Sequence, residues 1–101
     1  MSISMNVSSL QANQTFMNVN ANNIANVNTD GFIPTNTTIT DNQTSVQAST
    51  AFADDNGSLK SQTDLTKEIT DQVTTAGVAK ANVTAIRAQD EIMGTLLDIK
   101  A

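Results

Sequence analysis

The first stretch of this sequence that could do chemistry is Asp54-Asp55-Asn56-Gly57, where three oxygen-bearing side chains precede a glycine as in a calcium loop. The alternating ligands before the glycine and the bidentate Glu beyond it are missing, so a tight turn is the better reading. Ser and Thr are numerous, but a nucleophile needs a base, and the chain has no His and no Cys. The remaining candidate bases, Lys60, Lys67, Lys80 and Lys100, do not fall on an apolar face that would depress a lysine pKa. With Trp and Tyr also absent, disulfides, thiolate chemistry and the commonest zinc ligands are excluded. The chain reads as a non-enzyme with no catalytic residue, no cofactor and no metal.

What remains is the capacity to pair. A chain of 101 residues holds one small domain and little core. Leu, Ile, Val and Phe number 23 against 42 for Asn, Thr, Ser and Gln, so the chain can fold, but thinly. A net charge of −5 repels a phosphate backbone, and no apolar run nears the ~20 residues of a membrane span. Neither nucleic-acid binding nor membrane insertion is expected, and the N-terminus lacks the basic start and apolar stretch of a signal peptide.

Two segments carry the pairing signal. Residues 1–28 are uncharged and show a 4-3 spacing of Ile3, Val7, Leu10, Gln14, Met17, Ala21 and Ile24. Eight Asn residues by position 28 each cost a helix interior up to ~0.7 kcal/mol, so this N-terminal helix needs a partner. Residues 62–101 repeat the spacing through Leu65, Ile69, Gln72, Ala76, Ala79, Val83, Ile86, Asp90, Met93 and Leu97, which predicts a long C-terminal helix. Ser61 reads as its N-cap, with Asp64 near the positive end of the dipole, and Arg87 is placed to pair with Asp90 and Glu91.

Residues 29–61 form a polar connection. Gly31 supplies a positive φ to end the first helix, Pro34 prevents its resumption, and Phe52 and Leu59 allow a short hairpin around Asn56-Gly57. The Thr-rich stretch from Thr35 to Thr50 lacks apolar periodicity and reads as a loop the helices could lose. The expected fold is all-α: one domain made of a long antiparallel two-helix coiled-coil hairpin with an irregular connecting segment. Phe16, Val19, Val73, Ile92, Leu96 and Ile99 lie beside or off the seam and point to burial against other subunits.

The stretch Ala21-Asn22-Asn23-Ile24-Ala25-Asn26-Val27-Asn28-Thr29-Asp30-Gly31-Phe32 resembles the N-terminal signature of the bacterial flagellar axial proteins, the rod and hook subunits. Thr63-Asp64-Leu65, Glu68, Asn82, Ile86, Asp90-Glu91, Met93 and Thr95-Leu96-Leu97-Asp98-Ile99 resemble that family's C-terminal segment, in order and without gaps. The resemblance spans roughly 3–33 and 62–99 and marks Asn22, Asn23, Asn26, Thr29, Gly31, Phe32, Asn82, Asp90 and Glu91 as motif residues. It departs at Ala76-Gly77-Val78-Ala79, where the family commonly has a Gln-Arg-Ala-Tyr-like stretch, and at Gln62 in place of Asn. The middle is too short for the outer β-rich domains of hook and distal-rod subunits.

The resemblance implies a short proximal-rod-like subunit of the basal body, in the periplasmic rod region. Such a subunit is made in the cytoplasm, passes the flagellar type III export apparatus without a cleaved signal peptide, and assembles with itself and other axial proteins through its terminal helices. Ile3, Val7, Leu10, Met17, Ala21, Ile24, Leu65, Ile69, Ala76, Ala79, Val83, Ile86, Met93 and Leu97 are the expected helix-pairing and assembly residues. The alternative is a helical-hairpin adaptor or regulator that binds rod or export proteins without polymerising. A third reading is an unrelated coiled-coil oligomer.

Overall fold

The computed structural model describes residues 3–100; Met1, Ser2 and Ala101 lie outside them. Four elements follow in chain order: α1 (Ile3–Ala25), β1 (Thr35–Asn42), β2 (Ser45–Phe52) and α2 (Leu65–Lys100). The helices run antiparallel, which the cross-helix bonds from Asn6 to Gln89 and from Asn20 to Glu68 require. The molecule measures 67 × 22 × 14 Å. Most of that length is α2, whose 36 residues span about 54 Å at 1.5 Å each.

The fold is not all-α. β1 and β2 form an antiparallel pair in register from Thr35 opposite Phe52 to Asn42 opposite Ser45. The hairpin forms here because Thr37, Thr38, Ile39 and Thr40 are β-branched and suit a pleated surface, a preference the absence of helical periodicity concealed. Gln43 and Thr44 make the turn, and Asn42 Oδ1 closes it by accepting from the backbone N–H of Thr44 (3.2 Å) and Ser45 (2.9 Å). The stretch around Asn56-Gly57 forms no strand; Gly57, at φ +81°, donates its N–H to Asp55 Oδ1 at 2.8 Å.

The segment read as a loop is thus a hairpin, and it packs against α1. Val46 is buried against α1, and its N–H donates to Ser8 Oγ at 2.9 Å. At the other end of the strands, Asn23 accepts from Thr35 N–H (3.0 Å) and donates to Thr35 C=O (2.8 Å), which treats β1 as if α1 offered it a strand edge. Two further bonds, Gly31 N–H to Leu59 C=O and Gln62 N–H to Phe32 C=O, draw the two ends of the connecting segment together.

Helix boundaries follow from local chemistry. α1 ends at Ala25, before Gly31, because Asn26 turns back to donate to Asn22 C=O (2.8 Å) and its own Oδ1 accepts from the Thr29 hydroxyl. The positive φ of Gly31 (+75°) belongs to the next turn. The N-cap of α2 is Asp64, not Ser61: Asp64 Oδ1 accepts from Lys67 N–H at 3.2 Å directly ahead of Leu65, whereas Ser61 Oγ closes a turn onto Thr63 N–H. Among the described residues the ion pair formed is Lys67–Asp71 at 2.9 Å, not the expected pairing of Arg87.

Buried apolar side chains are scarce. Among the described residues Ala12, Pro34 and Val46 are the buried apolar ones, whereas Asn6, Ser9, Asn13, Asn20, Asn23, Glu68, Thr75 and Asn82 are all buried polar residues. The chain folds around hydrogen bonds, and its larger apolar side chains lie elsewhere.

Candidate assembly interface

The contact between the helices is a polar seam. On α1 it runs through Asn6, Ser9, Asn13, Phe16, Asn20 and Asn23, a 3-4 spacing. On α2 it returns at every seventh position through Glu68, Thr75, Asn82 and Gln89. Asn6 Nδ2 donates to Gln89 Oε1 at 3.3 Å, and Asn82 Nδ2 donates to Ser9 Oγ at 2.8 Å. These bonds offset the helix-propensity cost of the Asn residues and return little else, since a net intramolecular hydrogen bond is worth about 1 kcal/mol.

Glu68 is the residue on which three elements meet. Its side chain is 4% exposed. Asn20 Nδ2 donates to Oε2 (2.7 Å) and to the Glu68 carbonyl (2.7 Å), while Asn23 Nδ2 donates to Oε1 (3.0 Å). With Asn23 also holding Thr35, one carboxylate ties α1, β1 and α2 together through two amides. Each amide spends both N–H donors in doing so.

The apolar seam read from the sequence lies one residue further along both helices. Ile3, Val7, Leu65, Ile69, Val83, Met93 and Leu97 are between 41% and 64% exposed. Ala21 and Ala76 are exposed, and Leu10, Met17, Ile24, Ala79 and Ile86 are half-buried. Advancing one residue turns a helical side chain by about 100°. In an antiparallel pair the same advance on each helix swings both stripes to the same side, so together they make one apolar face. Ile3 from α1 and Ile92 and Met93 from α2 accordingly line one shallow groove of about 260 Å³.

The hairpin occupies the opposite side. Ser8, Ala12 and Thr15, each one residue before a seam position, border Val46, Gln47 and Ala48. The helix pair therefore has a covered flank and an open one. Beyond Met93, α2 continues past the described start of α1, with Leu96, Leu97 and Ile99 exposed.

The motif residues divide by role. Asn23 and Asn82 belong to the polar seam, and Asn22, Asn26 and Thr29 bond to one another at the end of α1. Gly31 and Phe32 close the base of the connecting segment, and Asp90 and Glu91 are exposed on α2. In the Asp54–Gly57 stretch, the Gln62 side chain and Gly57 N–H donate to Asp55 and hold its carboxyl below the usual carboxylate range. The sequence reading missed Asn6, Ser9, Asn13, Asn20, Glu68, Thr75 and Gln89 as contact residues. Their seven-residue recurrence, at 6, 13 and 20 and at 68, 75, 82 and 89, was the available signal.

No helix among the described residues is long and apolar enough to cross a membrane. No curated protein matches the chain. The family model for the flagella basal body rod protein matches residues 3–32, which comprise α1, the Asn-rich turn after it, Gly31 and Phe32. That match supports a component of the flagellar rod, at the basal body and in association with other rod components. Over residues 3–32 the chain is similar to the flagellar basal body rod family, the family its Asn-Asn-Ile-Ala-Asn stretch resembles.

Proposed function

We propose that this chain is a structural, self-assembling subunit of the flagellar rod, and that the apolar face of its helix pair is the surface on which assembly occurs. One observation carries this reading: the chain buries its polar seam and presents its apolar stripes outward, on one side, away from the hairpin. A lone hairpin gains nothing from that arrangement, because the burial it withholds is worth roughly 25 cal/mol per Å². A neighbour laid against the face recovers it. Ile3, Val7, Leu10, Met17, Ala21 and Ile24 on α1, with Leu65, Ile69, Ala76, Ala79, Val83, Ile86, Met93 and Leu97 on α2, are the assembly residues. The neighbours are other copies and other axial proteins.

Delivery through the type III export apparatus to the periplasmic rod region suits the same chemistry. A fold with so few buried apolar side chains among its described residues gives up little on unfolding, so threading it through a narrow channel is cheap. Order on arrival is then supported by mass action with neighbouring subunits.

The test uses purified basal bodies from cells carrying the wild-type chain or Val83→Asp. The wild type should be found in the rod and should associate with rising concentration in sedimentation, and Val83→Asp should do neither while keeping its helical signal. A wild-type chain that remains monomeric and binds rod or export proteins one to one would replace the subunit reading with the adaptor.

A further inference from the structure

Beside Glu68, the packing of α1, β1 and α2 leaves a cavity lined by Phe16, Asn20, Asn23, Thr37, Glu68 and the Lys67–Asp71 pair, among others. Two of its lining groups are buried and have no hydrogen-bond partner among the described residues: Asn20 Oδ1 and Thr37 Oγ1. Asn20 is 1% exposed, and its amide orientation is fixed because Nδ2 already donates to the Glu68 carbonyl and carboxylate. Its carbonyl oxygen is thus an acceptor that solvent does not reach. A buried acceptor left in that condition is costly and uncommon in a folded protein.

We infer that this cavity is a binding site for one water molecule, which donates to Asn20 Oδ1 and to the Glu68 carboxylate and accepts from the Thr37 hydroxyl. The size fits, since about 10 Å³ lies within reach of a water's centre, room for a single one. The chemistry fits as well. Water can accept from the Thr37 hydroxyl and donate to the Asn20 carbonyl oxygen, the two groups otherwise without partners. The water would complete the joint in which Asn20, Asn23 and Glu68 already hold the hairpin to the helix pair, and it makes Thr37 a positioning residue for β1. The inference stands independently of the assembly reading.

Oxygen-17 magnetic relaxation dispersion on the dilute full-length chain counts long-lived internal waters. Thr37→Val keeps the β-branched shape of the strand and removes the hydroxyl; Thr37→Ser keeps the hydroxyl. The dispersion should fall by the amplitude of one water in Thr37→Val and stay at the wild-type level in Thr37→Ser, with both variants matching the wild type in circular dichroism. Equal amplitudes in the wild type and Thr37→Val would overturn the bridge. So would a melting temperature that, at constant ionic strength, rises with sodium over choline, because that places a cation in the cavity instead.

Discussion

Two stripes run side by side along each helix, one residue apart, and they receive opposite treatment. Asn82 is 7% exposed and bonded to Ser9, while Val83 is 45% exposed; Glu68 is buried beneath two amides, while Ile69 is 48% exposed. The hydrophobic effect alone would rotate both helices by about 100° and exchange the stripes. What prevents the exchange is direction. Apolar contacts tolerate slippage, but the bonds of Asn20 and Asn23 to Glu68 and Thr35 exist at one rotation and one register. The polar seam sets how the helices face, and the apolar stripe is thereby left for a partner.

Breaking the polar seam should have the largest effect. In Glu68→Leu, Asn20 and Asn23 each keep one acceptor, the Glu68 and Thr35 carbonyls, and each loses the carboxylate. A loss of about 3 kcal/mol, read as a lower urea midpoint, is expected for two charge-assisted bonds and two stranded donors. An unchanged midpoint would mean that the seam does not hold the fold.

Next in size is the hairpin contact. Val46→Ala removes two methyl groups from one of the few buried apolar residues described and should cost about 1.5 kcal/mol. Amide exchange should rise along β1, β2 and the Ser8 side of α1 more than in the second half of α2. Uniform exchange across the chain would show that the hairpin and helices are one cooperative unit with no local joint.

The smallest effect is at the surface of α2. Asp71 beside Lys67 raises the lysine pKa above its ordinary value through a hydrogen bond, against a weaker opposing effect of partial burial. Lys67→Met should cost only about 0.3 kcal/mol near neutral pH, the usual worth of an i,i+4 pair. A raised pKa means the contribution is complete below the ordinary lysine value and fades as pH climbs through the raised one, so wild type and variant should converge at strongly alkaline pH. Divergence there would mean that Lys67 acts through packing.

The helices were legible in the sequence because the 4-3 recurrence of apolar positions is strong on both, and their antiparallel arrangement is what the family resemblance implied. The facing of the helices was not. Burying Val7, Ile69 and Val83 is the default for a monomer, and Asn or Glu at every seventh position reads as cost until its partner is known. Asn23 shows why: in the sequence it is one polar residue in an Asn-rich run, and only the fold brings Thr35 and Glu68 to its two ends. The strands were hidden for a different reason. Gln43-Thr44 lacks the Asn-Gly or Asp-Gly that usually announces a two-residue hairpin, and β1 has a single apolar residue, Ile39, among Thr, Asn and Asp, so no apolar alternation shows. Gly31 and Gly57 were read as turn residues, and both hold positive φ.

The central claim is that the buried side of each helix is the polar one, and Thr75 and Ala76 test it with adjacent residues. Thr75 is 6% exposed in the seam, and Ala76 is exposed on the outward stripe. Chemical unfolding of dilute Thr75→Asp and Ala76→Asp, compared with wild type, places the same charge on either side of the boundary. Thr75→Asp should lose several kcal/mol, because an unpaired charge enters the helix contact. Ala76→Asp should lose about 0.7 kcal/mol, the helix-propensity difference from Ala. The reverse order, with Ala76→Asp the more damaging in a monomeric sample, would show that the apolar stripe is the inner seam and would contradict the account.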